Sequence, residues 1–337
     1  MTKAEQSKQP SPLWRMLPGL LVTALAVAAL VYFVDLEELG QALSAVRLSI
    51  LPPVLLCFVG TLVTRSLAWR TILQERANFK DSFLALNQGY LLNNVLPFRL
   101  GELGRALLLG NRIGLPFWQV LSSIVVERVF DLGIAAGLLM ATLPLVVGAE
   151  GAYTAAWVAG GLVLVGFIAL FLMAAKPELV TRVLGQLTGR WPRLQAWLSD
   201  KLQQFLEGIA ALRSPARFFK VAALMLLTWV LNIGWYYLLM LNFFPQATWL
   251  WAAFSIGIVS VGVALPSSPA YVGVLEAAMV AALSLFGADP ATALAYALVS
   301  HVIYVVVTGL LGIYGFWQQG QSLGEVYTQL LNRSGAK

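Results

Sequence analysis

The sequence contains very little of what soluble enzymes and metalloproteins rely on. One Cys and one His in 337 residues exclude a disulfide framework and any site built from several Cys or His ligands. Only 11% of the residues are charged, whereas a soluble chain carries roughly 25%. Neither an Asp-x-Asp metal pair nor a glycine-rich nucleotide loop is recognisable, so neither ATP-driven transport nor nucleotide-dependent group transfer is indicated.

What the chain has instead is long apolar sequence. Hydrophobic residues make up 59% of it, and the mean hydropathy is +0.78. A membrane-spanning helix needs about 20 predominantly apolar residues. We therefore predict an all-α polytopic membrane protein whose six full transmembrane helices lie at about 13–34, 49–71, 117–145, 152–175, 218–241 and 291–317.

Two other apolar segments, 83–110 and 249–287, are interrupted by helix breakers. The breaking residues are Pro97, Gly101, Pro266, Pro269 and Gly273. Broken backbone is tolerated at membrane depth only where protein or a water-filled cavity satisfies its free N–H and C=O groups. The breaks therefore predict a cavity flanked by two broken or re-entrant helical pairs, giving eight to ten membrane segments in all. Two ordinary spans remain the alternative for the second pair.

The two breaks resemble each other in sequence. Leu-Pro precedes Gly101-Glu102 in the first and Gly273 and Glu276 in the second. The same 174 positions that separate Glu102 from Glu276 also separate Pro116 from Pro290 and Glu127 from His301. A constant offset predicts an internal duplication. Because three full spans separate the breaks, the two copies are expected to form an inverted repeat, as in many transporters.

Basic residues predict the orientation. All of the 22 Lys and Arg except Arg47, Arg65 and Arg128 fall in segments that are cytoplasmic if the N-terminus is inside, and such asymmetry sets topology. The predicted units are a cytoplasmic tail (1–12), a first membrane repeat (13–175), a cytoplasmic amphipathic connector (176–217), a second membrane repeat (218–318) and a second cytoplasmic tail (319–337). The expected location is the plasma (inner) membrane.

Charged residues near the first break are candidates for headgroup binding. Arg99, Glu102 and Arg105 follow one another at i, i+3 spacing and would share a helical face. Arginine binds phosphate oxygens in a bidentate way, so Arg99 and Arg105 predict contacts with an anionic headgroup; anchors at the membrane edge are the alternative. Asn94 either caps the broken helix or contacts the ligand.

A second set of polar residues lies deeper in the predicted spans. Arg128 and Asp131 can pair at i, i+3 and Glu127 shares their helix, which leaves one excess negative charge. Charged groups are costly within a membrane and usually mark functional sites. Together with Glu276 and His301, these residues predict a polar network that lines the cavity or couples transport to an ion; a purely structural ion-pair cluster is the alternative.

These motifs resemble those of a known family. The runs Asn94-x-x-Pro97-x-Arg99-x-Gly101-Glu102-x-x-Arg105, Glu127-Arg128-x-x-Asp131 and Pro266-x-x-Pro269-x-x-x-Gly273-x-x-Glu276 resemble the transmembrane region of lysylphosphatidylglycerol synthases. That family consists of flippase-like integral membrane proteins, some described as dolichol-phosphate-glucose synthetase-like. The resemblance covers nearly all of 13–320 and implies lipid transfer between leaflets. Without a recognisable soluble aminoacyl-transfer domain, lipid lysylation is not expected.

The sequence thus predicts a flippase-like transporter for an anionic, phosphate-bearing or glycosylated lipid, with no catalytic residues, cofactor or metal. The alternatives are a membrane-embedded glycosyl- or phospholipid-group transferase with Glu102 or Asp131 as base, a non-transporting scaffold, and a small-solute carrier. Expected partners are the lipid substrate and anionic inner-leaflet lipids at the basic loops, with a homodimer as an open option. The net charge of +6 requires no nucleic acid.

Overall fold

The computed structural model describes residues 36–44, 46–96, 100–147, 176–189, 191–263 and 269–320, together with scattered positions between 158 and 175 and Val326. These residues form α-helices and short 3-10 turns, and none of them is in a β-strand. In chain order the helices are α1 (Leu36–Ser44), α2 (Leu51–Ile72), α3 (Phe79–Val95), α4 (Leu100–Ile113), α5 (Phe117–Val147), α6 (Pro177–Thr188), α7 (Pro192–Gly208), α8 (Pro215–Phe243), α9 (Trp249–Gly262), α10 (Val274–Ser284) and α11 (Pro290–Gln319).

Four helices are long and apolar enough to cross a bilayer. They are α5, α8, α11 and the helix formed by α2 with the 3-10 turn before it, and they contain 25 to 31 residues each. They coincide with the spans predicted at 49–71, 117–145, 218–241 and 291–317. The span predicted at 13–34 lies outside the described residues, and most of 152–175 does too.

The two segments predicted to be broken are pairs of shorter helices. Helices α3 and α4 contain 17 and 14 residues, and α9 and α10 contain 14 and 11. At 1.5 Å per residue they are about 17–26 Å long, short of the roughly 30 Å of a bilayer core. The breaks include residues 97–99 and 264–268, so Pro97, Arg99 and Pro266 lie outside the described residues.

Local capping signals set several helix ends. The side chain of Asn78 accepts a hydrogen bond from the amide of Asp81 at 2.8 Å, so α3 begins before the predicted position 83. Asp289 accepts from the amide of Thr292 at 2.8 Å, and Pro290 occupies the first turn of α11. Proline is favoured there because its missing N–H would have no partner within the helix.

The two broken pairs are interleaved with the long helices. Helix α3 packs against α11 and α9 packs against α5, while α4 packs against α5 and α10 against α11. Helices α2 and α8 run against each other between these groups. Each broken pair therefore contacts long helices from both halves of the chain, and α2, α4 and α5 meet around one buried region.

The amphipathic connector is docked onto the membrane helices at one end. Leu206 and Ile209, at the end of α7, are buried in an apolar cluster with Val126 of α5. At Gly208 a Cβ atom would lie 1.8 Å from the hydroxyl of Ser122, so only glycine permits this approach. Trp197, on the same helix, is 55% exposed.

Candidate functional site

Six charged side chains form an ionic cluster where α2, α4 and α5 meet. The ionic cluster consists of Arg65, Glu102, Arg105, Glu127, Arg128 and Asp131. Three guanidinium groups and three carboxylates cancel in formal charge. Residues 127–131 carry one excess negative charge, and arginines from other helices balance it.

Glu127 is the centre of the ionic cluster and is completely buried. Its carboxylate accepts hydrogen bonds from Arg65 at 2.9 Å, from Arg128 at 2.8 Å and from both terminal nitrogens of Arg105 at 3.1 and 3.2 Å. A buried charge is tolerated only when it is paired and hydrogen-bonded. Glu127 is thus held ionised by three cations from three helices.

Asp131 is the second acceptor. Arg65 donates to both of its oxygens, at 2.7 and 2.9 Å, in the bidentate arrangement that makes arginine pairs strong. Arg128 lies 3.2 Å away at the predicted i, i+3 spacing, and the indole N–H of Trp229 donates at 3.1 Å. The pairing of Arg128 with Asp131 predicted from the sequence is present.

Arg105 and Glu102 differ in exposure although they share α4. Arg105 is 3% exposed and its guanidinium lies 4.8 Å from the ring centroid of Trp69, so both its charge and its flat face are occupied within the protein. Glu102 is partly exposed, and its carboxylate lies 3.3 Å from Nε of Arg128. Nε of Arg128 is buried and has no hydrogen-bond partner. Arg105 therefore balances the charge of Glu127, whereas Nε of Arg128 faces Glu102 without forming a hydrogen bond.

Glycine and asparagine shape the first break. The side chain of Asn93 accepts a hydrogen bond from the amide of Gly101 at 2.8 Å. A Cβ atom on Gly101 would lie 1.9 Å from the carbonyl oxygen of Gly89, so the backbones of α3 and α4 are in direct contact here. Asn94 donates to the hydroxyl of Thr308 on α11 at 3.0 Å, and its amide oxygen is buried without a partner.

Glu276 and His301 form a separate buried pair at the second break. One carboxylate oxygen of Glu276 lies 2.5 Å from Nδ1 of His301, and the other accepts from the amide of Gly273 at 2.7 Å. The turn that begins at Pro269 contains left-handed backbone at Ala270 (φ 54°), Tyr271 (φ 63°) and Gly273 (φ 82°). Such conformations are costly outside glycine, and Glu276 helps to hold this one.

Two cavities adjoin the ionic cluster. The aromatic cavity, of about 200 Å³, is lined by the side chains of six aromatic residues and by Arg65 and Arg128. The six aromatic residues are Phe58, Tyr90, Trp235, Tyr236, Tyr271 and Tyr304. The charged cavity, of about 410 Å³, includes Glu102 and Asp131 as well as the same two arginines. Asn232 and Ser260 line both cavities, so the two adjoin along a shared wall.

Most of the predicted site residues lie in two separate groups. The six residues of the ionic cluster are in mutual contact, while Glu276 and His301 lie at the other break. Arg65 was recognised in the sequence only as a charge within a span. That rare feature was the available signal, but its partners lie 62 and 66 positions away. The aromatic residues of the cavity gave no comparable signal.

Comparison with known proteins identifies a family and two curated relatives. A family model described as the lysylphosphatidylglycerol synthase TM region matches residues 16–312. A protein named Glycosyltransferase AglD, from Haloferax volcanii, is 26% identical over 333 residues, covering 88% of this chain and 53% of its own. A UPF0104 membrane protein from Methanothermobacter thermautotrophicus is 24% identical over 328 residues, covering 92% of this chain and 96% of its own.

The chain therefore spans about half the length of the first relative and nearly all of the second. No solved structure matches it significantly.

Proposed function

This chain belongs to the lysylphosphatidylglycerol synthase TM region family, and on that premise we propose that it is a flippase-like lipid transporter of the plasma membrane. It would move an anionic, phosphate-bearing or glycosylated lipid between leaflets. The headgroup would pass through the cavities beside the ionic cluster while the acyl or prenyl tails stay in the bilayer.

The observation that carries this proposal is the position of Arg128. Its side chain lines both cavities, and its buried Nε lies 3.3 Å from the carboxylate of Glu102 without forming a hydrogen bond. Buried donors that form no hydrogen bond are rare in proteins. A phosphate oxygen at this position would accept a hydrogen bond from Nε and displace Glu102, the most exposed of the three carboxylates.

The helix packing supports an inverted repeat. If α3 and α5 correspond to α9 and α11, the contact of α3 with α11 has its counterpart in the contact of α9 with α5. We propose that the two halves exchange access to the cavities by moving against each other, as transporters built from inverted repeats do.

The remaining assignments follow this scheme. With both chain ends in the cytoplasm, Arg99 would meet the headgroup at the cytoplasmic mouth, and Arg105 would act by fixing Glu127. Asn94 would offer its unpartnered amide oxygen between α3 and α11. Glu102 and Glu276 would line the cavity at the first and the second break. If transport is coupled to protons, His301 would exchange a proton with Glu276.

The test is leaflet transfer of fluorescent lipids in proteoliposomes, read with a membrane-impermeant quencher. Arg128→Ala should slow transfer at least tenfold, because a hydrogen bond to a charged group contributes about 1.5–3 kcal/mol. Arg112→Ala is the matched control, since Arg112 pairs with Asp81 at 3.4 Å at the exposed end of α4. Full transfer by well-folded Arg128→Ala would remove the assignment.

A membrane-embedded glycosyl- or phospholipid-group transferase is the second candidate, and the name of the Haloferax relative favours it. In this chain the general base would have to be Glu102 or Asp131. Asp131 is held by Arg65 and Trp229, so Glu102 would be the better base. A transferase changes its lipid covalently and a flippase does not, so mass spectrometry of lipids after incubation separates the two.

A further inference from the structure

The lining of the aromatic cavity is selective in charge. Among its lining residues in the described part of the chain, Arg65 and Arg128 are the only charged ones. The carboxylates of Glu102 and Asp131 lie along the charged cavity instead. The ionic cluster as a whole is neutral, but the charged groups that a ligand would meet in the aromatic cavity are guanidinium groups, which offer N–H donors to an anionic group.

The aromatic side chains form a connected wall. Tyr90 and Tyr304 have ring centroids 6.1 Å apart, Tyr304 and Phe58 6.3 Å, and Phe58 and Trp235 5.1 Å. Trp235 also packs against Tyr236 at 3.7 Å. Tyr90, Tyr271 and Tyr304 are half-buried and can meet a ligand. Phe58, Trp235 and Tyr236 are only 3%, 1% and 6% exposed and pack within the wall.

Polar groups interrupt this wall at a few positions. Asn232 accepts a hydrogen bond from the indole N–H of Trp235 at 2.8 Å, which fixes the orientation of the indole. Thr61 and Ser260 add hydroxyl groups to the lining. Mostly apolar walls with a few placed polar groups are typical of small-molecule sites, whereas a lipid tail would require no polar lining.

We propose that the aromatic cavity binds the sugar ring of a glycosyl phosphate whose phosphate contacts Arg128 and Arg65. Sugars present apolar C–H faces to aromatic rings and hydroxyl groups to amides and hydroxyls, and this lining offers both. The assignment rests on the proposed lipid transport and narrows its substrate to a polyprenyl or acyl lipid with a phosphate-linked sugar. The ring fills the aromatic cavity while the phosphate satisfies Nε of Arg128.

Binding is measured first, independently of transport. The purified protein in detergent is titrated calorimetrically with glucose 1-phosphate, mannose 1-phosphate, glucose and inorganic phosphate. A sugar phosphate should bind at least tenfold more tightly than either glucose or phosphate. Tyr304→Leu, which removes a half-buried ring from the lining, should abolish that advantage and leave phosphate binding unchanged. Trp249→Leu, which removes an exposed indole stacked on Tyr237 outside the cavity, should bind as the parent does.

Transport is measured with polyprenyl-phosphoglucose, polyprenyl phosphate and phosphatidylglycerol in proteoliposomes. The glycosylated lipid should move at least tenfold faster than the other two, and Tyr304→Leu should remove the difference. If Tyr304→Leu does not fold, Asn232→Ala decides instead, because it removes an amide from the same wall.

Each other outcome overturns a defined part of the proposal. Equal transfer of all three lipids with no preference for sugar phosphate would leave lipid transport standing and overturn the sugar site. Sugar-phosphate binding without transfer of any lipid would overturn lipid transport and keep the cavity assignment. Uptake of labelled glucose 1-phosphate into sealed vesicles would identify a soluble sugar phosphate, not a lipid, as the ligand.

Discussion

Replacing Arg105 should reveal how strongly the ionic cluster stabilises the fold. Arg105 is 3% exposed and donates two hydrogen bonds to Glu127, which is fully buried. Removing one partner of a buried ion pair costs about 3–5 kcal/mol. Because Glu127 retains Arg65 and Arg128, we expect the lower limit, about 3 kcal/mol for Arg105→Ala, or roughly a hundredfold in the unfolding equilibrium.

The assay is reversible unfolding in mixed micelles, with Arg112→Ala as the control. Arg112 is also on α4, but its side chain is 56% exposed and its partner Asp81 is 3.4 Å away, so its loss should cost less than about 1 kcal/mol. The double variant Arg105→Ala/Glu127→Gln should lose less than the sum of the two single variants. A loss below about 1 kcal/mol for Arg105→Ala would refute the ionic cluster as the support of this region.

Two further predictions concern helix packing and a loop carboxylate. Gly101→Ala should cost about 1–3 kcal/mol in the same unfolding assay, because its Cβ would meet the carbonyl of Gly89, whereas Gly137→Ala, with open space around it, should be neutral; equal effects would contradict the close crossing. The hydrogen bond from Lys220 and its charge hold the pKa of Glu75 below its ordinary value. The stability that the pair contributes is therefore present above the unfolded pKa and is lost as pH falls through the folded pKa. Lys220→Ala should raise the pKa of Glu75 in a carbon-13 NMR titration, and an unchanged pKa would show that the pair does not form.

Local patterns accounted for much of the architecture. Uninterrupted apolar runs located the four long helices, and proline and glycine located both helix breaks, because these signals act within one or two turns. The pairing of Arg128 with Asp131 followed from i, i+3 spacing for the same reason.

Contacts between distant helices could not be predicted in the same way. Arg65 reaches Asp131 across 66 positions, and nothing in either local sequence selects the other. Arg105 pairs with Glu127 and lies 4.8 Å from the ring centroid of Trp69, and the residue spacing on α4 indicates neither contact. The aromatic cavity was also unforeseen, since Tyr and Trp in an apolar span look alike whether they face lipid, protein or a cavity.

The charge balance of the ionic cluster determines how a membrane potential would act on the proposed lipid transport. Three positive and three negative groups add no net charge of their own, so in the proposed transport an anionic headgroup that passes beside them would carry its full charge across the field. One elementary charge corresponds to about 2.3 kcal/mol per 100 mV, or roughly a fortyfold bias. An inside-negative potential would then drive the lipid outward. Reversing the sign of an imposed potassium diffusion potential should reverse the leaflet in which the lipid accumulates. If the distribution of the lipid between the leaflets does not depend on the imposed potential, a counter-ion must move with the headgroup.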